Sequence, residues 1–119
     1  MMDTREAILN LEYAEKMKSG LIIGTGLLDK LVSLKEEEHS GGRKILVGYL
    51  EGLLREARIA GSVLGLNYYD SLEQKVMEVI GRIQMSQFQE AQWSLSEAIS
   101  LATTACQSSM EFLIEKRLV

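Results

Sequence analysis

Residues 87–116 read QFQEAQWSLSEAISLATTACQSSMEFLIEK. Phe88, Ala91, Leu95, Ala98, Ile99, Ala102, Ala105, Cys106, Met110 and Leu113 recur every three or four positions, which lines them along one side of a helix. No proline interrupts this run, and the whole chain of 119 residues has none. Average usage would give roughly six, at about 5%. Proline lacks the backbone N–H and collides with the preceding turn, at a cost of about 3 kcal/mol inside a helix. A chain without it, carrying this periodicity, is expected to be helical nearly throughout.

The same pattern extends toward the N-terminus. Ala7, Leu11, Ala14, Met17, Leu21, Gly24, Leu28, Leu31 and Leu34 form one stripe, which predicts a long first helix from about Asp3 to Glu38 with Asp3 or Thr4 at its cap. Gly20, Gly24 and Gly26 weaken it, yet the stripe keeps its phase across them, so one continuous helix is favoured over a break. Ser40-Gly41-Gly42 is the clearest loop signal in the chain. A second helix is expected from about Arg43 to Leu66, with Ile45, Leu46, Tyr49, Leu50, Leu53, Leu54, Ala57, Ala60, Gly61 and Leu64 inward. Asn67-Tyr68-Tyr69 reads as a turn, with Asn67 suited to a left-handed position. Asp70-Ser71-Leu72-Glu73 has the pattern of a capping box before a short third helix. The apolar phase slips between Ile83 and Phe88, which places a tight turn near Met85-Ser86, with Ser86 and Gln89 as a second cap.

No linker or low-complexity tract divides these segments, so a single helical domain over residues 1–119 is expected. Short connections make neighbouring helices antiparallel. The expected fold is therefore all-α, an antiparallel up-down four-helix bundle with long first and fourth helices and a short third helix. That mismatch in length leaves the ends of the long helices to be covered by a partner copy, a kink or a fold-back.

Composition narrows the function. The hydrophobic fraction is 46%, enough for one core without disulfides or metal. The net charge is −4, which argues against nucleic acid and anionic lipid as partners, since both need a basic face. Cys106 is the only cysteine and reads as a small buried hydrophobe in a reducing cytoplasm. Met1-Met2-Asp3-Thr4-Arg5-Glu6 is charged and unlike a signal peptide. The apolar run from Leu21 to Leu28 is far short of the roughly 20 residues of a membrane span. No cofactor is expected.

Three glycine pairs stand four apart: Gly20…Gly24, Gly48…Gly52 and Gly61…Gly65. Such pairs present one smooth face to another helix. Close packing is expected above all at Gly48 and Gly52, while Gly20 and Gly65 suit helix ends.

Signals for chemistry are sparse. Glu36-x-x-His39 is the spacing used in carboxylate-bridged di-iron bundles, but those need two such motifs and this chain has one histidine. A four-helix bundle with one histidine resembles histidine phosphotransfer domains in architecture alone, because Gly42 stands three residues after His39 where that family has lysine. Gly20-Leu-Ile-Ile-Gly24-Thr-Gly26 lacks the Lys-Ser/Thr of a phosphate loop. Glu12 and Glu15 have the i, i+3 spacing of a magnesium site in all-helical nucleotide pyrophosphohydrolases. The stretch from Gln87 to Ile99 is similar to the second helix of a tetratricopeptide repeat, without its proline and without a second copy.

The strongest functional signal returns to the opening stretch. From Ile83 to Glu115 there is no lysine or arginine. The side away from Leu95 and Ile99 is built of Gln89, Trp93, Ser96, Ser100, Thr103, Thr104 and Gln107, around the only tryptophan. Solvated helices usually carry lysine–glutamate pairs, and tryptophan is enriched at binding hot spots. These seven residues are the expected interface of a non-catalytic interaction protein, an adaptor, regulator or chaperone-like subunit, whose expected partner is a second copy in a homodimer. The alternative is a metal-dependent nucleotide or phosphoester hydrolase with Glu12, Glu15, Glu36 and His39 converging across a dimer. A third reading is an apolar ligand held between helices and lined by Met17, Met77, Met85 and Met110.

Overall fold

The computed structural model describes residues 3–118; Met1 and Met2 of the N-terminal stretch lie outside them. Four helices form: α1 Thr4–Ser33, α2 His39–Leu64, α3 Asn67–Gln84 and α4 Phe88–Glu115. Among the described residues there is no strand. No helix there is long and apolar enough to cross a membrane. α1 packs on α2 and α4, and α3 packs on the same two, so each helix has two neighbours. Asn10, early in α1, bonds to Ala105 and Ser109, late in α4. At the other end Gln92, early in α4, donates to Asp29, late in α1.

α1 starts at Asp3, whose carboxylate accepts from the Glu6 amide at 2.8 Å, and runs unbroken through Gly20, Gly24 and Gly26. The reason is packing. A Cβ on Gly20 would stand 2.5 Å from Leu53 Cδ2, and one on Gly24 would touch Leu50 and Tyr49. The Tyr49 hydroxyl donates to the Gly20 carbonyl at 2.7 Å, which fixes the crossing of α1 and α2. Gly20 is therefore a contact point inside α1 and no helix end.

α1 stops at Ser33, earlier than the stripe suggests, and Leu34 turns extended. A 3-10 turn, Glu36–Glu38, leads straight into α2. The expected loop at Ser40-Gly41-Gly42 is instead the first turn of α2. At Gly42 a Cβ would lie 2.6 Å from Leu31 Cδ1 and 3.1 Å from Leu34 Cδ1, so this glycine serves the tight α1–α2 corner. At the other end of α2, Gly65 takes the left-handed conformation at φ 64° and its amide bonds Gly61. Two residues, Gly65 and Leu66, make the whole connection. The turn expected at Asn67-Tyr68-Tyr69 is already α3, and Asn67 is not its left-handed residue. Nor does Asp70 cap a helix; it lies in the first turn of α3, and Glu73 pairs with Arg58 at 2.8 Å.

The tight turn at Met85-Ser86 is present, with Ser86 at φ 59°. Ser86 does not cap α4; Gln87 holds the cap position without a side-chain capping bond, and Ser86 Oγ accepts from Arg43.

The core draws on all four helices, with Met17, Leu21, Leu28, Leu50, Tyr69, Leu72, Val76, Ile83 and Leu95 fully buried. Ile45 departs from its stripe and is 77% exposed. Its neighbours Leu46 and Val47 take the buried positions, so the inward arc of α2 lies on their side. One polar cluster interrupts the apolar interior. Tyr69 donates to Asn10 Oδ1 at 2.8 Å, and Asn10 Nδ2 donates to Ser109 Oγ and to the Ala105 carbonyl. It joins α1, α3 and α4 through side chains that are buried and paired, as such groups must be.

Candidate functional site

α4 is positioned from both sides. Toward α1, Gln92 donates to Asp29 at 2.7 Å, and toward α3, Ser94 donates to Glu78 at 2.8 Å. With Ala91, Leu95, Ala98 and Ala102 buried between those neighbours, the helix presents the opposite side outward. Gln89, Trp93, Ser96, Ser100, Thr104 and Gln107 are all exposed there, and Thr103 is half-buried. Trp93 keeps 68% of its surface accessible. The structure thus brings the seven residues to one side of one helix, with Glu90, Glu97 and Glu111 as its only charges before the last turn.

A second uncharged surface was missed as a site. Between Lys18 and Asp29, α1 has no charged residue. Leu21, Gly24 and Leu28 are buried, but Ile22, Ile23 and Leu27 are exposed and nothing lies within 4 Å of a Cβ on Gly26. The signal was available: ten residues without a charge are more than one buried face requires, since a helix has a solvent side as well.

The glycine expectation for α2 is overturned within the chain. Nothing lies within 4 Å of a Cβ on Gly48, and only the Arg55 guanidinium, at 3.9 Å, approaches Gly52. Close packing falls instead at Gly20, Gly24 and Gly42, and Gly61 lies against Tyr69 at 3.4 Å. The sequence shows which residues are small but not which side of α2 meets α1.

The candidate metal ligands do not come together in the chain. Glu12 and Glu15 lie in the first half of α1, whereas Glu36 and His39 lie beyond its far end. The turns of α1 between Glu15 and Ser33 span roughly 27 Å at about 1.5 Å per residue. The His39 ring bonds the Leu34 carbonyl and meets the edge of Phe88, which makes it part of the corner. No group of three or more His, Cys, Asp or Glu side chains placed to hold a metal occurs among the described residues. The methionine-lined interior is also absent: Met17 is core, while Met77, Met85 and Met110 are exposed. Cys106 is half-buried, and burial pushes its thiol up from the ordinary range.

The electrostatics concentrate between α3 and α4. Lys75 pairs with Glu78 at 3.0 Å and with Glu97 at 3.3 Å. Those bonds, that to Glu78 first, raise the ammonium pKa, and the same pairing lowers that of Glu78. Both groups stay charged at neutral pH. Chemically the surface offers shape, hydrogen bonds and apolar contact, with no nucleophile–base pair. The chain matches no protein-family profile, no curated protein and no solved structure.

Proposed function

We propose that this protein is a non-catalytic helical interaction module that works as a homodimer, with its helices in an antiparallel up-down arrangement forming one domain. The hydrogen bonds from Asn10 to Ala105 and from Gln92 to Asp29 support that arrangement. The observation that carries the dimer is the exposed Trp93 amid the uncharged outer side of α4. Rigid aromatic side chains in neutral surroundings are the common anchors of interfaces.

Size adds support. A compact chain of 13.3 kDa exposes about 6,400 Å², whereas this one exposes 7134 Å². Its radius of gyration is 15.6 Å, against about 13.5 Å for a compact fold of this length. The excess surface is of the same order as the roughly 800 Å² that each partner buries in a standard interface. The hydrolase reading draws no comparable support within one chain, where Glu12 and Glu15 lie in the first half of α1 and Glu36 and His39 beyond its far end.

Light scattering on the native protein and on Trp93→Glu tests the proposal. A dimer that becomes a monomer on substitution is the expected result. A monomeric native protein refutes the dimer, and a dimer that survives Trp93→Glu refutes α4 as its contact.

A further inference from the structure

The outer side of α4 needs a counterpart on its partner, and charge selects it. Before the last turn that side carries Glu90, Glu97 and Glu111 and no cation. Lys75 matches Glu97, but Glu90 and Glu111 enter no ion pair among the described residues. Laying α4 on α4 of a second copy would leave these carboxylates facing no cation, and like charges across an interface oppose association. The outer side of α1 is the complement. Arg5 and Lys30 are exposed there and are equally outside any ion pair among the described residues. Between them Ile22 and Ile23 are exposed, and a Cβ on Gly26 meets open space. Asn10 with Ser109 and Asp29 with Gln92 fix the register of the two helices. To within about one turn, that register sets Trp93 level with Gly26, Glu90 with Lys30 and Glu111 with Arg5. Glu90 stands about two turns before Glu97, on the flank toward α3, and Lys30 about four turns after Lys16, which pairs with Glu56 of α2. The two charges therefore sit on opposite outer flanks of the α1–α4 pair, out of reach of each other within one chain.

We propose that in the homodimer α4 of each copy docks on the outer side of α1 of the other, about a two-fold axis running along the α1–α4 groove, with Trp93 of one copy over Gly26 of the other. This rests on the dimer reading above and assigns its counterface. A two-fold axis parallel to the helices preserves every level and lays one outer flank on the other. Glu90 then meets Lys30 and Glu111 meets Arg5 across the contact, each pair twice, as an isologous interface requires. Gly26 leaves room for the indole, and Ile22 and Ile23 give it apolar walls. Glu12 and Glu15, the acids in the middle of that side of α1, come level with Gln107 and Thr103, whose amide and hydroxyl donate to carboxylates. The area agrees. α4 has 28 residues, which span about 42 Å, and two helices side by side are about 20 Å wide. Their joint outer side is roughly 800 Å², the share each partner gives to a standard interface, and α4 alone supplies half of it.

Sedimentation equilibrium on the full chain measures the dimer dissociation constant for the native protein, Gly26→Gln, Lys30→Glu and the double variant Lys30→Glu/Glu90→Lys. Gly26→Gln enters open space in the single chain and favours helix, but fills the place of the indole; it should weaken the dimer roughly tenfold or more. Lys30→Glu should weaken it roughly tenfold, because the reversal acts on two symmetry-related pairs, and adding Glu90→Lys should bring it back to within about threefold of native. In the native protein, a half-labelled mixture should give isotope-filtered NOEs between the Trp93 indole of one copy and the Ile22 and Ile23 methyls of the other. A native monomer, or a dimer that survives Trp93→Glu, removes the α4 contact itself and this arrangement with it. A dimer that Trp93→Glu dissociates but Gly26→Gln leaves intact keeps the α4 contact and overturns α1 as its counterface. A double variant no tighter than Lys30→Glu alone, or the absence of those NOEs, overturns it likewise.

Discussion

Tyr68→Phe and Tyr69→Phe remove the same atom from adjacent residues of α3 and should have opposite effects. Tyr69 is fully buried, and its hydroxyl serves Asn10 Oδ1, itself in a residue only 2% exposed. Removing it loses one bond and strands a buried acceptor, at a cost of about 1–3 kcal/mol. Tyr68 carries a buried hydroxyl with no partner, so its removal loses no bond and relieves a desolvated group. The expected effect lies between zero and a gain of about 1 kcal/mol. The two rings keep their edge contact in both variants. For 119 residues the unfolding entropy makes 1 kcal/mol worth about 4 °C in Tm. The melting temperatures should therefore differ by roughly 4–16 °C, with Tyr69→Phe below the native protein and Tyr68→Phe at or above it. Far-UV circular dichroism melts at pH 7, run at one protein concentration because association shifts Tm, make the comparison. Equal losses in both variants, or a greater loss in Tyr68→Phe, refute the assignment of paired and unpaired hydroxyls.

Alkaline pH probes the same tyrosines. Burial pushes both phenols well up from their ordinary range. The unfolded chain releases these protons near pH 10 while the folded chain retains them, so their contribution is complete below pH 10 and is lost as pH rises through the folded values. Urea midpoints should fall above about pH 10, less steeply in Tyr68→Phe; a flat midpoint to pH 12 contradicts the burial. Two glycine substitutions, one within α2 and one just past its end, should move in opposite directions. Gly48→Ala meets open space and should raise Tm by ~3–4 °C through helix propensity. Gly65→Ala must hold φ near 64° and should lower Tm by at least as much; thermal melts of the two variants decide.

Helix content was legible because periodicity and the lack of proline act locally. α4 and the Met85-Ser86 turn follow from that pattern almost to the residue, whereas α1 ends at Ser33, short of the expected Glu38. The first two connections do not, because glycine has two uses that composition alone does not separate. Gly42 reads as loop and is in fact the narrow side of a helix start pressed on Leu31. Gly65, read as suited to a helix end, is the left-handed stop of α2, but Gly20, read the same way, is a contact point inside α1 against Leu53. Ile45 fails for a related reason: Ile45, Leu46 and Val47 are consecutive and apolar, and only the placement of the neighbouring helices decides which of them is left outside. The outer side of α4 was readable because its residues are consecutive in phase on one helix.

The partner that α1 contacts most extensively is the last helix of the fold. Asn10 and Ser109, joined in the core, are 99 residues apart in sequence. On the ribosome, α2 and α3 can close their two-residue corner early, but the inward stripe of α1 stays half-covered until α4 has been synthesised. At about 5–20 residues per second, the stretch from Ser33 to Glu115 takes several seconds to appear. During that interval Leu21, Leu28 and the uncharged segment around them face water. A nascent chain of this topology is most vulnerable to mispairing just before its last helix emerges, and a truncation within α4 would make that transient state permanent.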